Sequence, residues 1–350
     1  MIILVTGCAG FIGTNFVYYY LSKYKNDIII GLDKLTYAGN LENLADLTDE
    51  QKSRFIFYKG DICDRNIVRE IFTKHEIEYL VNFAAESHVD RSIIDSTPFI
   101  DTNIKGTQVL LEAAREVGLA RFLQISTDEV YGSLGPDDPP FNEESPLRPN
   151  SPYSASKAAG DLLCRAYYKT YGVPVIITRS CNNYGPWQFP EKLIPLMIRN
   201  AKRGEELPIY GDGKQRREWL YVDDHCEAVS ILLRKGETGN IYNISTGCEK
   251  ANIDVVETLG SLINSKFNPS WHKKINIKHI KDPRGSAHDF RYALDTSKIK
   301  EQFNWMPKIT FAKGLRFTVD WYIENEKWIE KVITGEYRDY YKKIYGKYDK

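Results

Sequence analysis

A short apolar run at the N-terminus leads directly into a turn that has glycine at every third position. Ile2–Thr6 predicts a buried strand, and Gly7, Gly10 and Gly13 then open a helix that runs to about Tyr24. Glycines at this spacing let the backbone turn tightly, approach a phosphate closely and pack the helix against the strand. The amide groups at the start of such a helix attract anions. The pattern predicts a dinucleotide-binding unit, although a plain tight turn has the same letters.

A second buried strand, predicted over residues 27–32, ends at Asp33, twenty residues after Gly13. An acidic side chain at this position accepts hydrogen bonds from the adenosine ribose and repels a 2′-phosphate. The sequence therefore favours NAD over NADP. The adjacent Lys34 is the one feature that argues for NADP.

Apolar strands continue to alternate with helices up to about residue 180. Further strands are predicted at 55–59, 79–83, 121–126 and 173–179, and helices at 102–117 and 153–171. This order predicts a parallel sheet with right-handed crossovers, whose ligands lie beyond the carboxyl ends of the strands. The expected fold class is α/β, a Rossmann-type doubly wound parallel sheet with a smaller α/β substrate-binding lobe. At such strand ends, Asp61 can reach an adenine, and Ala84 and Ala85 leave room for a flat cofactor.

The regular alternation of strands and helices ends after residue 180. Segments rich in proline, glycine and asparagine follow, with helices predicted at 191–204, 223–235, 252–265 and 311–348. We therefore expect residues 1–180 to form an NAD-binding Rossmann domain, with returning segments near 217–245. Residues 181–350 are expected to form mainly the substrate-binding lobe.

The composition argues against several other classes of protein. Lysine plus arginine and aspartate plus glutamate balance at 47 each, so no overall charge favours nucleic acid or an anionic membrane. No apolar run approaches the roughly 20 residues of a membrane span. The six cysteines are scattered without a C-x-x-C pair, which indicates reduced thiols in the cytoplasm. Neither they nor the six histidines have the spacing of a metal site.

Two chemically active side chains share one face of the predicted helix 153–171. Ser151 is placed to cap this helix, and Gly172 to end it. Tyr153 and Lys157 lie four residues apart, which brings an ammonium close to a phenol. The positive charge favours the phenolate and is expected to lower the pKa of Tyr153, so that it can act as a base. For this pair alone, a tyrosine and a lysine on a solvated helix face are the alternative.

Several longer motifs, taken together, resemble those of one enzyme family. They cover residues 6–13, 84–92, 127–132, 153–157, 180–186, 188–195 and 207–213. The chain resembles the extended short-chain dehydrogenase/reductase family from residue 1 to about residue 345. Within that family it is similar to the nucleotide-sugar 4,6-dehydratases of the dTDP-glucose type. The resemblance implies an NAD-dependent hydro-lyase whose substrate is a nucleotide-diphosphate-sugar.

The adjacent acids Asp128 and Glu129 distinguish this subgroup from its neighbours. In the family, Thr-Asp-Glu is typical of enzymes acting on dTDP-glucose, and some enzymes acting on UDP-glucose share it. Sugar 4-epimerases usually carry no carboxylates here, and decarboxylases tend to read Thr-Ser-Glu. The alternatives are therefore a UDP-glucose 4,6-dehydratase, a UDP-sugar epimerase or decarboxylase, or a regulatory protein without catalysis. The intact pair of Tyr153 and Lys157 argues against the last of these.

The resemblance also implies the catalytic roles. Tyr153 takes the proton of the sugar C4 hydroxyl while hydride passes to NAD, and Lys157 holds the cofactor ribose. Glu129 removes the C5 proton, and Asp128 protonates the departing C6 hydroxyl, so Asp128 must hold a proton in a site of low dielectric constant. Hydride then returns to C6. Thr127 is expected to bind the C4 oxygen.

The binding residues follow from the same resemblance, position by position. The cofactor-binding candidates are Gly7, Gly10, Phe11, Ile12, Gly13, Asp33, Lys34, Asp61, Ile62, Ala84, Ala85, Thr102, Tyr153, Lys157 and Asn183. The substrate-binding candidates are Glu86, His88, Thr127, Asn182, Glu191, Lys192, Leu193, Pro208, Tyr210, Arg217, Asn252, Arg284 and His288. A guanidinium binds phosphate oxygens in a fork, so Arg217 is the predicted diphosphate clamp, with a solvated basic loop as the alternative.

One loop departs from the family pattern. Where the family reads Asp-Arg-Pro-Gly-His-Asp, residues 282–289 read Asp-Pro-Arg-Gly-Ser-Ala-His-Asp, which is two residues longer. The alignment puts Arg284 near the family arginine and His288 at the family histidine. Because this loop lines the nucleotide in the family, the choice between dTDP and UDP stays open.

The resemblance finally implies an assembly and a place in metabolism. A homodimer is expected, in which helices 102–117 and 153–171 of both subunits form a four-helix bundle. Apolar outward positions on these helices agree with it, although a core role explains them as well. The 4-keto-6-deoxy product is expected to feed rhamnose or another deoxysugar.

Overall fold

The computed structural model describes residues 1–267 and 276–333, together with Tyr341, Lys342 and Ile344. Its strands are β1 (Ile2–Thr6), β2 (Ile28–Asp33), β3 (Phe55–Lys59), β4 (Tyr79–Asn82), β5 (Arg121–Thr127), β6 (Val175–Ser180), β7 (Asn182–Tyr184), β8 (Leu207–Tyr210), β9 (Arg216–Tyr221), β10 (Ile241–Ile244), β11 (Glu249–Ala251) and β12 (Ile277–Ile280). Its α-helices are α1 (Phe11–Lys23), α2 (Asp49–Lys52), α3 (Arg65–Lys74), α4 (Val89–Ile94), α5 (Thr97–Ile100), α6 (Thr107–Val117), α7 (Pro152–Tyr171), α8 (Leu193–Arg203), α9 (Val222–Lys235), α10 (Asn252–Phe267), α11 (Ser297–Phe303), α12 (Phe311–Glu324) and α13 (Glu326–Val332).

Seven parallel strands form the large sheet, in the order β10-β6-β5-β4-β1-β2-β3. Strand β1 pairs with β2 on one side and with β4 on the other, so the strand order reverses at β1. Ligands of open α/β sheets bind outside the carboxyl ends of the strands at such a reversal. The predicted Rossmann-type α/β fold is confirmed. Strand β10 reaches this sheet from the second half of the chain and pairs with β6.

The helix predicted over residues 102–117 does not begin as an α-helix. Residues Asp101–Gly106 form a wider π-helical turn, and α6 starts only at Thr107. Within this turn, the Asn103 amide donates to the Glu86 carbonyl oxygen at 3.0 Å and to Ser156 Oγ at 2.8 Å. Insertions of this kind often mark functional sites. Here the wider turn brings a buried amide against the segment that follows β4.

A smaller assembly begins directly after the carboxyl end of β6. It contains the three-stranded sheet β11-β9-β7, the parallel pair β12-β8, and helices α8, α10 and α12. These elements share an apolar core of their own, which includes Tyr184, Leu196, Trp219, Val255, Leu259 and Leu315. The predicted C-terminal helix is interrupted at Asn325, between α12 and α13. Beyond residue 333, the prediction to residue 348 lies outside the described residues except at positions 341, 342 and 344.

Candidate active site

The turn between β1 and α1 leaves no room for side chains at its glycines. Gly7 has a φ of 67°, and a Cβ there would stand 2.6 Å from the amide nitrogen of Ala84. A Cβ on Gly13 would stand 2.1 Å from the carbonyl oxygen of Gly7. The strand, the turn and the helix therefore pack backbone against backbone. This packing leaves the helix N-terminus open to a phosphate group.

A cavity of about 310 Å³ lies over this turn, a size within the range of ligand pockets. Its lining includes all the predicted cofactor residues, namely Gly7, Gly10, Phe11, Ile12, Gly13, Asp33, Lys34, Asp61, Ile62, Ala84, Ala85, Thr102, Tyr153, Lys157 and Asn183. We call it the first cavity. The predicted cofactor residues are thus brought together, although their sequence positions span 177 residues from 7 to 183.

Asp33 ends β2 at the edge of the first cavity and is almost completely buried. Its Oδ2 accepts a hydrogen bond from the Ala9 amide at 2.9 Å, and its Oδ1 accepts one from the Leu35 amide at 2.8 Å. Each oxygen keeps a second lone pair for a ligand hydroxyl. The Lys34 ammonium lies 2.7 Å from Asp61 Oδ2, which neutralises the charge that argued for NADP. The site therefore fits a ribose with a free 2′-hydroxyl, as in NAD.

The two neighbouring acids are positioned by a tight turn. Strand β5 ends at Thr127, and residues Asp128–Tyr131 form a single 3₁₀ turn directly after it. The Thr127 hydroxyl accepts a hydrogen bond from the Glu129 amide at 3.3 Å and donates to Asp128 Oδ1 at 3.1 Å. Adjacent side chains of a strand point to opposite faces, but the turn lets both acids line the first cavity.

Burial and neighbouring charges set the protonation of these acids. Burial, and then the charge of Glu129, raises the pKa of Asp128 well above its usual value. Asp128 Oδ2 has no hydrogen-bond partner within the described part of the chain. Burial also raises the pKa of Glu129, but Arg284 and Arg217 oppose that rise. The pKa of Asp128 is therefore raised further than that of Glu129, so Asp128 is the one of the two that holds its proton more firmly.

Helix α7 begins and ends where the sequence predicts. The Ser151 hydroxyl accepts a hydrogen bond from the Ser154 amide at 3.1 Å, and Gly172 ends the helix in the left-handed conformation. Tyr153 and Lys157 are both buried, and both line the first cavity with the two acids. A solvated helix face is therefore the wrong interpretation of this pair.

The expected lowering of the Tyr153 pKa by Lys157 is wrong. Burial, and then the charge of Glu129, raises the pKa of Tyr153. The Lys157 ammonium instead donates to the Ile125 carbonyl oxygen at 2.6 Å, so part of its charge is directed at β5. Burial also lowers the pKa of Lys157, although Asp161 opposes this. A phenol buried in this way needs further positive charge nearby before it can act as a base near neutral pH.

A second cavity, of about 170 Å³, adjoins the first. Its lining includes the predicted substrate residues His88, Asn182, Glu191, Lys192, Leu193, Pro208, Tyr210, Arg217, Asn252, Arg284 and His288. Glu86 and Thr127, also predicted for the substrate, line the first cavity instead. Glu129 and Lys192 line both cavities. Of the catalytic candidates, Glu129 therefore stands where the two cavities meet, and the others line the first cavity.

Charged side chains of the second cavity are held by specific partners. Arg284 forms an ion pair with Asp90, which also accepts a hydrogen bond from the Tyr210 hydroxyl at 2.8 Å. Burial would raise the pKa of Asp90, but the attraction of Arg284 outweighs it and lowers that pKa to about 2. Lys192 donates to the Ser87 carbonyl oxygen at 2.9 Å. His288 pairs with Asp282 of its own loop. The charged groups of this cavity are thus held in place by partners within the protein.

Arg217 is a buried residue of β9 and does not lie on a solvated basic loop. Its guanidinium donates to the backbone carbonyl oxygens of Arg216 at 2.7 Å, Asp289 at 2.8 Å and Phe290 at 3.3 Å. The guanidinium carbon also lies 4.2 Å from the centre of the Tyr292 ring. Three of the five N–H groups are used in this way, which fixes the fork and leaves two for a ligand.

Some cavity residues were not predicted from the sequence. Eight examples are Thr36, Gly39, Gln188 and Phe189 in the first cavity and Asp90, Met197, Trp219 and Tyr292 in the second. Asp90, Gln188 and Phe189 lie inside the motifs at 84–92 and 188–195, so a signal for them was present. The other five stand outside the motifs, in segments without a binding pattern. Only the fold brings them to the cavities.

The described residues contain neither a group of metal ligands nor a membrane-spanning helix. Within 1–267 and 276–333, no three His, Cys, Asp or Glu side chains are grouped so that they could hold a metal ion. In the same part of the chain, none of the helices combines the length and apolar character needed to cross a membrane. The six cysteines are unpaired.

Known proteins resemble this chain over nearly its whole length. The family described as GDP-mannose 4,6 dehydratase matches residues 4–318. The dTDP-glucose 4,6-dehydratase of Xanthomonas campestris pv. campestris (strain B100) is 49% identical over 346 residues, which cover 96% of this chain and 97% of that protein. The dTDP-glucose 4,6-dehydratase 1 of Escherichia coli (strain K12) is 47% identical over 362 residues and 99% of both chains.

Solved structures agree with these relatives. A dTDP-glucose 4,6-dehydratase from Bacillus anthracis str. Ames, in complex with NAD, superposes with a TM-score of 0.86 at 46% identity, covering 95% of this chain and 100% of the other. DesIV, a dTDP-glucose 4,6-dehydratase from Streptomyces venezuelae with NAD and the nucleotide ligand TYD bound, has the same TM-score at 44% identity and the same coverage. Because identity near one half extends over almost the full chain, the protein belongs to the dTDP-glucose 4,6-dehydratase family of nucleotide-sugar dehydratases.

Proposed function

We propose that this protein is an NAD-dependent hydro-lyase that converts dTDP-glucose to dTDP-4-keto-6-deoxyglucose. The observation that carries the proposal is the buried Asp128 and the partly buried Glu129, which line the first cavity together with Tyr153. Removal of water across C5 and C6 needs an acid and a base on neighbouring carbons, in addition to the base that acts at C4. A 4-epimerase needs only the base that acts at C4. The acid pair therefore favours dehydration.

The first cavity fits NAD. The backbone of the turn at Gly7 is placed to hold the pyrophosphate, Asp33 the adenosine ribose and Lys157 the nicotinamide ribose. When bound, NAD supplies the acceptor of the C4 hydride, the donor of that hydride to C6, and a positive ring that favours the Tyr153 phenolate. The pairing of Lys34 with Asp61 supports NAD over NADP.

The protein's own groups then act in order on the hexose. Tyr153 accepts the proton of the C4 hydroxyl, and the Thr127 hydroxyl turns from Asp128 Oδ1 to donate its one hydrogen bond to the C4 oxygen. The resulting ketone acidifies the C5 hydrogen, which Glu129 removes. Asp128 gives its proton to the C6 hydroxyl, which departs as water. Glu129 exchanges the proton that it removed with solvent and returns a solvent proton to C5 when C6 is reduced. The proton gained by Tyr153 balances the one that Asp128 lost, and transfer through solvent restores both groups.

The surroundings of the two acids support this division of roles. Asp128 is fully enclosed and its pKa is raised, so it holds the proton that an acid needs. Glu129 lines both cavities and is attracted by Arg284 and Arg217, which favours its ionised form. Neighbouring carboxyl groups with unequal surroundings are the usual way in which a site holds an acid and a base together.

In this proposal, the two lobes bind different ligands. Residues 1–180, with returning segments near 217–245, hold NAD, and residues 181–350 hold mainly the nucleotide sugar. Arg217 and Arg284 are the proposed diphosphate ligands, since guanidinium groups bind phosphate oxygens in a fork. Pro208, Tyr210 and Asn252 line the end of the second cavity proposed for the base and its sugar.

Labelled turnover tests the proposed function. The purified protein is incubated with dTDP-glucose, and separately with UDP-glucose, in H₂O and in D₂O. We expect faster turnover of dTDP-glucose, one deuterium at C5 of the product in D₂O, and transfer of a C4 deuterium label to C6 of the same molecule. Loss of the C4 label to solvent, or no 4-keto-6-deoxy product, would contradict the mechanism. Faster turnover of UDP-glucose would assign the altered loop at 282–289 to uracil.

We further propose a homodimer in which α6 and α7 of both subunits, with the π-helical turn before α6, form a four-helix bundle. Exposed apolar side chains on α6, α7 and the adjoining helices α4 and α5 support it, namely Ile93, Ile94, Ile100, Val117, Leu162 and Tyr171. A cytoplasmic location stays a prediction, supported by the unpaired cysteines. The 4-keto-6-deoxy product is expected to supply rhamnose or another deoxysugar.

A further inference from the structure

A buried ion pair that the proposed mechanism does not use lies between α7 and β6. Asp161 and Arg179 are only 2% and 3% exposed, and Arg179 Nε donates to Asp161 Oδ2 at 2.9 Å. Taking two charges out of water is costly, and apolar side chains of similar volume often stabilise a fold as well or better. Stability alone is therefore a weak reason for this pair.

Asp161 extends the row of catalytic side chains along α7. Tyr153, Lys157 and Asp161 follow one another at intervals of four residues, so they share one face of the helix. Arg179 occupies only one carboxylate oxygen, and Asp161 Oδ1 has no hydrogen-bond partner among the residues that the structure describes. A buried carboxylate thus stands one helical turn beyond the Lys157 ammonium.

Charged and titratable groups face Lys157 from each element packed around it. Its own helix contributes Asp161 and the thiol of Cys164, whose pKa is raised by burial and which is therefore neutral. Strand β5 contributes the Ile125 carbonyl oxygen, which accepts a hydrogen bond from Nζ. Strand β6 contributes Arg179, which is paired with Asp161. Burial raises the pKa of Asp161, but Arg179 and Lys157 oppose that rise, so Asp161 is the acid here whose negative charge is favoured.

The remaining neighbours act on the partners of Lys157. Arg179 lies with its guanidinium carbon 4.8 Å from the centre of the Tyr131 ring, which comes from the turn after β5. Asp128 and Glu129, from the same turn, act on Tyr153 at the other end of the row. Since Asp128 holds its proton, it is the negative charge of Glu129 that mainly opposes the phenolate. A charged Lys157 is the group of α7 that can offset it.

We propose that Asp161, clamped by Arg179, is a positioning residue that serves as counter-ion to Lys157 and keeps it charged beneath Tyr153. The inference rests on the proposed function, because only there does Lys157 have a catalytic role. A charged Lys157 keeps its bond to the Ile125 carbonyl and has two further N–H groups for the cofactor ribose. Because Arg179, on β6, pairs with the Asp161 carboxylate, that carboxylate does not form a direct ion pair with the Lys157 ammonium.

Asp161→Asn tests this role, because it keeps the side-chain shape and removes the charge. We expect the alkaline limb of the kcat profile for dTDP-glucose to move to lower pH by about one to two pH units, since Lys157 then loses its proton more easily. KM should change by less than about threefold, because Asp161 lines neither cavity. NAD affinity is measured by calorimetry on cofactor-stripped protein. Between about pH 7 and pH 9, the affinity of the variant should fall about tenfold more than the affinity of the wild type.

Asp27→Asn is the matched control. Asp27 is also buried, and it pairs with Arg234 at 2.7 Å, but it precedes β2 at the amino end of the sheet, opposite to the cavities. Its substitution should lower the Tm without moving either pH profile. A double variant, Asp161→Leu with Arg179→Met, removes both charges and replaces them by apolar groups, which buried sites often tolerate. It should shift both profiles in the same direction as Asp161→Asn, by a smaller amount.

The outcomes separate this inference from the proposed function. If a folded Asp161 variant keeps the wild-type alkaline limb and the wild-type pH dependence of NAD binding, the pair has a structural role only. Equal shifts in the Asp27 control would also overturn the proposal. If the wild-type protein does not turn over dTDP-glucose, the proposed function fails, whereas the NAD-binding measurements still decide the role of Asp161.

Discussion

The ammonium of Lys34 lies 2.7 Å from Oδ2 of Asp61, at the carboxyl ends of β2 and β3 in the first cavity. Asp33, immediately before Lys34, presents a buried carboxylate to the same cavity. Its pairing with Asp61 keeps Lys34 from neutralising the charge of Asp33. Both carboxylates disfavour NADP. Asp33 repels its 2′-phosphate, and Asp61 pairs with the lysine that would otherwise attract that phosphate.

Asp61→Asn is expected to narrow the preference for NAD. The freed Lys34 ammonium can pair with a 2′-phosphate, and a hydrogen bond between charged groups contributes about 1.5–3 kcal/mol, or about tenfold or more in affinity. Calorimetric titration of cofactor-stripped protein should show NADP binding strengthened relative to NAD, because loss of an adenine contact from Asp61 weakens both cofactors alike. Adding Lys34→Ala removes the ammonium as well and should restore the weak binding of NADP. An improvement that survives in the double variant would refute the explanation.

Asp128→Asn is expected to lower kcat by about 10²–10⁴, the usual contribution of a positioned acid. Asparagine fills the same space but has no proton to give to the C6 hydroxyl. Removal of the C5 proton by Glu129 does not depend on this step. We therefore expect substrate recovered from D₂O to carry deuterium at C5, as measured by NMR. If kcat falls and no such exchange occurs, Asp128 acts before elimination and its assignment as the acid is wrong.

The same substitution is expected to stabilise the fold at alkaline pH. The pKa of Asp128 is raised in the folded state, so its contribution to stability is present below its unfolded pKa, near about 4, and is lost as pH rises through the folded value. Asparagine does not titrate. The Tm of Asp128→Asn should therefore exceed that of the wild type near about pH 8 by calorimetry, and the excess should shrink toward about pH 5.

Asp295→Asn is the control of opposite sign. Hydrogen bonds from Ser297 lower the pKa of Asp295, so its contribution is present above the unfolded pKa and is lost as pH falls. This variant should have a lower Tm than the wild type near about pH 8, with the deficit shrinking in acid. Tm differences that do not vary with pH in either variant would show that charge is not the cause.

Local signals explain why so much of the site could be predicted. The glycine turn, Asp33 at the end of β2 and the caps of α7 each depend on residues that are adjacent in the chain. The parallel order of the strands then brings their carboxyl ends together. For that reason, all predicted cofactor residues line one cavity, although only pattern and resemblance were used to choose them.

Contacts between distant segments explain what the sequence did not show. The π-helical turn depends on the bond of Asn103 to Glu86 and Ser156, which lie on other elements. The raised pKa of Tyr153 depends on the burial that the whole fold creates, whereas the spacing to Lys157 indicated only one favourable charge. Asp90 stood inside a recognised motif, but its partner Arg284 lies 194 residues further on. None of these relationships has a local pattern.

Leu162→Glu is expected to convert the proposed dimer into a monomer. Leu162 is 57% exposed on α7, and a carboxylate there would be forced into the apolar centre of a four-helix bundle. Met306→Glu is the matched control, since Met306 is also more than half exposed but lies outside α6 and α7. Sedimentation should give a monomer for the first variant and a dimer for the second and for the wild type. A wild-type monomer, or a Leu162→Glu dimer, would refute this interface.

Asp90→Asn is expected to raise KM for dTDP-glucose by about tenfold and to change kcat far less. Asp90 holds Arg284 by an ion pair and Tyr210 by a hydrogen bond of 2.8 Å, and both partners line the second cavity. Without the charge, the guanidinium is no longer preorganised for the diphosphate, and about 1.4 kcal/mol of binding corresponds to tenfold in KM. Because the pKa of Asp90 is about 2, the effect should be the same from about pH 6 to pH 9.

Glu206→Gln is the control for Asp90→Asn, because it breaks an ion pair of the same lobe, Lys278 to Glu206 at 2.6 Å, whose side chains are about half exposed. Exposed pairs contribute little, so KM and kcat should stay at wild-type values. If Asp90→Asn instead lowers kcat and leaves KM unchanged, Arg284 acts in the transition state and not in binding the ground state. The loop that departs most from the family pattern would then take part in the elimination, and the role of its arginine would have to be reassigned.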